Sequence, residues 1–75
     1  MATVGSRVVY LDHAEDGLEE VVIVPPAEAN VACGLISSSS PVAQALLGHR
    51  VGDPVRARTP GGVRLLSIRA VERQR

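Results

Sequence analysis

A short helix with capping residues at both ends, followed by a turn rich in proline and glycine, decides the fold. The stretch begins Ser37-Ser38-Ser39-Ser40-Pro41-Val42-Ala43-Gln44-Ala45-Leu46-Leu47-Gly48, continues through Val51-Gly52-Asp53 and ends in Thr59-Pro60-Gly61-Gly62. The Ser40 hydroxyl can accept a free backbone N–H of a first helical turn, and Pro41 suits the position that needs no donor. Gly48 suits the left-handed residue that closes a helix. We therefore predict one short helix over residues 41–47, buried through Val42, Ala45 and Leu46.

One β-hairpin is predicted before this helix and another after it. Residues 4–11 are rich in β-branched side chains, and an Asp16-Gly17 turn joins them to a return strand over residues 18–24. Strands over residues 53–59 and 63–71 meet at the Gly-Gly turn, with a register shift expected beyond Ile68.

The remaining segments are shorter. We expect a connecting loop with one helical turn over residues 27–33, a short strand over 35–38 and a frayed tail over 72–75. Together, the elements predict an α+β fold in which an antiparallel sheet of four to five strands surrounds one helix.

Size and composition exclude several function classes. Seventy-five residues make one domain, residues 1–75, with no room for a deep catalytic cleft. Tyr10 is the only aromatic residue, which argues against aromatic ligand pockets and base-stacking surfaces. The formal charge is zero, so we expect no direct nucleic-acid partner. Cys33 is the only cysteine, and no targeting or membrane-spanning pattern is present, which favours a cytoplasmic protein without membrane contacts.

The sequence offers no constellation for catalysis. His13 and His49 each lie beside a predicted turn, and no serine or cysteine nucleophile has the spacing of a triad. Two separate histidines and Cys33 match no metal-ligand spacing. We therefore predict no enzyme activity, no catalytic, metal or cofactor-binding residue, and no cofactor.

Surface residues leave several interpretations open. The acidic cluster of Glu15, Asp16, Glu19 and Glu20 can keep a hairpin soluble or, in a concave site, supply acid–base groups. Arg56, Arg58 and Arg64 are expected on one face of the last hairpin, where they form a solvated surface or bind an anion.

Two apolar side chains are expected on the outside of the sheet. If Val8 and Tyr10 point inward, Val9 and Leu11 point outward, where they favour contact with another domain or chain. The alternative function is therefore a self-associating protein-interaction module, present as a monomer or a weak homodimer.

Several motifs in chain order resemble one known family. They are Val4-Gly5-Ser6-Arg7-Val8, Asp16-Gly17, Glu28-Ala29-Asn30, Gly34-Leu35-Ile36-Ser37, Ser40-Pro41-Val42-Ala43-Gln44-Ala45-Leu46-Leu47-Gly48, Val51-Gly52-Asp53 and Thr59-Pro60-Gly61-Gly62-Val63. Over residues 4–72 the sequence is similar to the C-terminal domain of the bacterial Gre (GreA/GreB) transcription elongation factors. The resemblance implies an FKBP-like fold, a twisted antiparallel sheet that wraps one short helix.

The resemblance also implies a partner and a contact site. The family domain docks on bacterial RNA polymerase at the rim of its secondary channel, through positions that match Ser39, Ser40 and Pro41. The family often has Asp or Asn where this chain has Ser39. The family's N-terminal coiled coil, whose acidic tip holds the Mg²⁺ used in transcript cleavage, has no counterpart in these 75 residues. We therefore expect polymerase binding without cleavage activity.

Overall fold

The computed structural model describes residues 1–73, which form five strands, one helix and two 3₁₀ turns. The elements are β1 (Ser6–Asp12), β2 (Gly17–Val24), the first 3₁₀ turn (Pro26–Glu28), the second 3₁₀ turn (Val31–Cys33), β3 (Leu35–Ser37), α1 (Pro41–Leu46), β4 (Pro54–Thr59) and β5 (Gly62–Arg73). The predicted order of elements is confirmed, and the helix begins at the predicted proline.

The strands form one sheet in the order β3-β2-β1-β5-β4. β1 pairs antiparallel with both β2 and β5, and β4 pairs antiparallel with β5. β3 differs from the expected pattern because it runs parallel to β2. The two 3₁₀ turns carry the chain back along the sheet after β2, so β3 starts from the same end as its neighbour. The result is the FKBP-like α+β arrangement, with one parallel pair at an edge.

A bulge in β5 shifts the register of its pairing with β1 by one residue. Val9 lies opposite Ala70, but the next residue of β1, Tyr10, lies opposite Ile68, so Arg69 is the extra residue. This confirms the predicted register shift. The strand then continues to Arg73, and Glu72 lies opposite Arg7. The expected fraying is therefore wrong for residues 72–73, while residues 74–75 lie outside the described part of the chain.

The core lies between the helix and the inner face of the sheet, which is the face that α1 covers. Its largest fully buried side chains are Val8, Ile23, Leu46, Leu66 and Ile68. The helix buries Ala43 and Leu46 completely, whereas Val42 and Ala45 are only half-buried against the core. The buried face of the helix is therefore centred closer to Ala43 than the sequence predicted. The reason is that α1 packs mainly against β4 at the edge of the sheet.

The chain start is tied to the end of the helix. The Ala2 N–H donates to the His49 carbonyl at 2.8 Å, and the Gly48 N–H donates to the Ala2 carbonyl at 2.9 Å. Gly48 follows the C-cap with φ +85°, the left-handed conformation predicted for it. Within residues 1–73, no helix has the length and apolar character needed to cross a membrane.

Candidate partner-binding site

The loop between β3 and α1 is held by its own serine side chains. The Ser37 hydroxyl accepts the backbone N–H of Ser39 at 3.1 Å and lies 2.8 Å from the Ser39 hydroxyl. The backbone N–H of Ser40 donates to the Ser37 carbonyl at 2.9 Å. Serine hydroxyls commonly make such bonds to the backbone two residues further on. The tip, defined here as Ser39, Ser40 and Pro41, therefore has a fixed backbone.

Ser40 is the N-cap of the helix, as predicted. Its backbone is extended, with φ −71° and ψ 154°, and its hydroxyl accepts the Ala43 N–H at 3.3 Å. Pro41 takes the first helical position, and both Pro41 and Ser39 are exposed. The Ser40 hydroxyl is thus committed to the fold, while Ser39 and Pro41 are available to a partner.

Two contacts brace the tip from outside it. The Gln44 side-chain amide donates to the Ser38 carbonyl at 2.7 Å, and the Ser38 N–H donates to the Val24 carbonyl at 2.8 Å. Neither Ser37 nor Gln44 is among the site residues predicted from the sequence. The spacing of Ser37 and Ser39 in the sequence could have indicated the role of Ser37, because serine side chains often bond the backbone of nearby residues. No local signal indicates Gln44, whose partner lies six residues away.

A proline-rich loop lies at the same end of the sheet as the tip. Because the Val24 carbonyl bonds Ser38, the chain after β2 leaves the sheet beside the tip. Pro25, Pro26 and Ala27 in that loop are exposed. The surface here combines hydroxyl groups with proline rings, which suits a protein partner better than a small charged ligand.

The arginines of the last hairpin do not share one face, so that prediction is wrong. In the observed register Arg64 lies opposite Ala57, whose side chain is buried on the inner face. The Arg64 guanidinium donates to the Asp12 carboxylate. Arg56 and Arg58 are exposed on the opposite, outer face. The structure therefore assigns Arg64 to the fold and leaves the other two on the surface.

The histidines and the cysteine lie in separate places. His13 Nε2 is 2.6 Å from the Ser67 hydroxyl, and His49 Nδ1 is 3.4 Å from the Asp53 carboxylate. Cys33 is exposed on the second 3₁₀ turn. In the part of the chain that the structure describes, no three His, Cys, Asp or Glu side chains are grouped closely enough to hold a metal ion.

The outer face of the sheet carries the apolar residues expected there. Val8 and Tyr10 are buried, and Val9 and Leu11 are half-buried on the opposite face, as predicted. A pocket of about 470 Å³ opens along β4 and β5. Its lining includes Pro54, Arg56, Leu65 and Ser67. This surface is distinct from the tip, which lies beyond the far ends of β2 and β3.

Comparison with known proteins relates the chain to transcription factors. The family model "Transcription elongation factor, GreA/GreB, C-term" matches residues 1–73. The transcription elongation factor GreA of Geobacillus kaustophilus is 42% identical over 72 residues, which cover 96% of this chain and 46% of that protein. GreA of Nautilia profundicola is 47% identical over 64 residues, covering 85% of this chain and 40% of the relative. The chain thus spans less than half the length of these relatives.

Solved structures relate the chain to the same group of transcription factors. The crystal structure of Thermus aquaticus Gfh1 superposes with a TM-score of 0.80 at 40% identity, covering 93% of this chain and 46% of that one. The GreA/GreB elongation factor of Nitrosomonas europaea superposes with a TM-score of 0.74 at 29% identity, covering 95% and 59%. Sequence and structure together show that the chain belongs to the GreA/GreB transcription elongation factor family, to its C-terminal domain.

Proposed function

We propose that this domain binds bacterial RNA polymerase at the rim of its secondary channel, in the cytoplasm, and contributes no catalysis of its own. The tip is the contact: Ser39 and Pro41 meet the polymerase, and Ser40 holds them in place as the N-cap. Membership of the Gre family supports the choice of partner.

One observation carries the choice of site. The hydroxyls of Ser37 and Ser40 and the side-chain amide of Gln44 bond the backbone in and beside the tip, yet Ser39 and Pro41 remain exposed. A loop that is rigid before it binds loses little conformational entropy on docking, which favours affinity. The exposed prolines of the loop after β2 extend this surface.

The test is retention of the domain on immobilised bacterial RNA polymerase. Ser39→Arg combined with Pro41→Ala should reduce retention at least about tenfold, which corresponds to about 1.4 kcal/mol of binding free energy. The matched control is Gly61→Arg combined with Pro60→Ala, which introduces the same two residues, an arginine and an alanine in place of a proline, in the β4–β5 turn at the opposite end of the sheet.

Circular dichroism and thermal unfolding show whether each variant is folded. Loss of retention in the tip variant alone supports the proposal. Equal retention of the tip variant and the wild type would remove the tip from the contact, and no retention of the folded wild type would remove polymerase as the partner.

A further inference from the structure

β4 is the outermost strand on one side of the sheet, so one of its edges has no neighbouring strand within residues 1–73. In an antiparallel pair, alternate residues bond the neighbouring strand, and the backbone groups of the residues between them point away from it. The Ile68 N–H donates to the Asp53 carbonyl at 3.2 Å, so Asp53 is among the residues that bond β5. By the same alternation, the backbone N–H and C=O groups of Arg56 and Arg58 point toward the open edge.

The open edge of β4 is accessible. Pro54, Arg56 and Arg58 are exposed, whereas Val55 and Ala57 between them are buried on the side where α1 packs. Within residues 1–73, no backbone hydrogen bond joins Arg56 or Arg58 to a loop or to the helix. Unpaired backbone groups along a sheet edge are a template for pairing with another extended chain.

The open edge is also positively charged. β4 carries two arginines and no acidic residue, although the formal charge of the whole chain is zero. Neither Arg56 nor Arg58 makes an ion pair with a carboxylate of residues 1–73. Like charges directly opposite each other destabilise a strand pair, so the arginines disfavour pairing with β4 of a second copy. The same arginines favour a strand that carries carboxylates.

We propose that the open edge of β4 binds an extended acidic segment of another protein, which pairs antiparallel with β4 and adds a sixth strand to the sheet. Two carboxylates of the segment, two residues apart, lie opposite Arg56 and Arg58 on the outer face. Such side chains are about 7 Å apart along a strand, which is also the spacing of the two arginines. Backbone hydrogen bonds supply the affinity in this mode of binding, and side chains at alternate positions supply the specificity.

A pocket beside the edge selects a third side chain of the segment. The pocket has a volume of about 470 Å³, and its lining includes Pro54, Arg56 and Leu65. Leu65 lies opposite Arg56, so the pocket opens next to the edge on which the segment pairs. In an antiparallel segment, the residue two positions after the second carboxylate lies opposite Pro54. An apolar side chain at that position can be buried in the pocket, so the preferred order at alternate positions is acidic, acidic, apolar.

NMR titration of the isotope-labelled domain with a synthetic peptide tests the proposal. The probe carries glutamate, glutamate and leucine in this order at alternate positions, with threonines between them. Amide hydrogen exchange at Arg56 and Arg58 should slow at least about tenfold at saturation, because their N–H groups gain acceptors. Exchange at Ala57, which already bonds β5, and at Ser39 in the tip should change little. Absence of binding at millimolar peptide, or binding that leaves exchange at both arginines unchanged, overturns the proposal.

Backbone methylation of the peptide separates strand pairing from charge attraction. N-methyl groups on the two glutamates remove the N–H groups that would donate to the carbonyls of Arg56 and Arg58, and should weaken binding at least about tenfold. N-methyl groups on the two threonines between and after the glutamates are the matched control, because these amides point away from β4. Equal affinity of the two methylated peptides would contradict strand addition.

A charge exchange tests the role of the arginines. Arg56→Glu with Arg58→Glu should weaken binding of the acidic peptide at least about tenfold and create binding of a peptide with lysines in place of the glutamates. Arg69→Glu with Arg73→Glu makes the same change in charge at exposed positions of β5 and should bind the acidic peptide like the wild type. Equal binding of the acidic peptide by both variants, with circular dichroism showing both folded, overturns the proposal. No polymerase is present in these experiments, so their outcome is independent of the proposed docking.

Discussion

The guanidinium of Arg64 on β5 donates to the carboxylate of Asp12 at the end of β1. The Asp12 side chain is 3% exposed, whereas that of Arg64 is 38% exposed. Asp12 also accepts the Ala14 N–H at 3.0 Å, so one buried carboxylate ties the β1–β2 turn to the neighbouring strand.

Removing Arg64 should be costly because it leaves a buried carboxylate without its cation. Arg64→Ala is expected to lower the free energy of unfolding by about 2 kcal/mol in urea denaturation. Arg58→Ala, at an exposed position without an ion pair within residues 1–73, should change it by less than about 0.5 kcal/mol. Adding Asp12→Asn to Arg64→Ala should recover part of the loss, since no buried charge remains. Equal losses from the two arginine variants would contradict this account.

The cap at Ser40 gives a second prediction. Ser40→Ala removes the acceptor for the Ala43 N–H and should cost about 1 kcal/mol of unfolding free energy. Ser38 is the matched control, because its described hydrogen bonds use only the backbone. Thermal denaturation that finds Ser38→Ala as destabilising as Ser40→Ala would show that the cap is unimportant.

Packing of the helix on the sheet can be measured at Leu46. This side chain is fully buried, and Leu46→Ala should lower the unfolding free energy by about 2–5 kcal/mol. Val51→Ala, at a residue that is 58% exposed, should have little effect. A small loss at Leu46 would mean that the helix contributes little to the core.

Acid should weaken an ion pair on the outer face. The Arg7 guanidinium, which also pairs with Glu72, lowers the pKa of Glu20 below its ordinary 4.5 through a hydrogen bond and its charge. Because the folded-state pKa is depressed, this stabilisation is present above pH 4.5 and is lost as the pH falls through the folded-state value. The stability difference between wild type and Glu20→Gln should therefore shrink on acidification. A difference that stays constant from neutral to acid pH contradicts the assignment.

The carboxylate of Asp53 should also stabilise the folded protein less in acid. The pKa of its carboxyl is lowered, first by the Arg50 backbone N–H at 2.9 Å and also by His49. The stabilisation that the Asp53 carboxylate contributes is present above its ordinary pKa of 3.8 and is lost as the pH falls through the lower folded-state pKa. The thermal midpoint of Asp53→Asn should thus converge with that of the wild type in acid. Parallel midpoints at every pH would exclude this role.

Local signals determined the elements and the tip. The Ser40-Pro41 start and Gly48 fix the helix ends because capping acts within one turn of the chain. In the sequence of β4, Val55 and Ala57 alternate with Arg56 and Arg58, and the structure buries the two apolar residues and exposes the two arginines. The position of Ser39 beside the cap follows from the same short-range geometry.

Only the tertiary structure decided the face of Arg64 and the direction of β3. The β4–β5 loop contains two residues, because Thr59 pairs with Gly62, whereas the Gly-Gly motif also permits three. A one-residue change in register moves every following side chain to the other face of a sheet. The direction of β3 also depends on more than its neighbouring residues. β3 runs parallel to β2 because the two 3₁₀ turns between them lead the chain back toward the end of the sheet where β2 begins. The sequence by itself determined the caps, turns and strand periodicity, which depend on neighbouring residues, and the tertiary structure decided pairings between residues far apart in the chain.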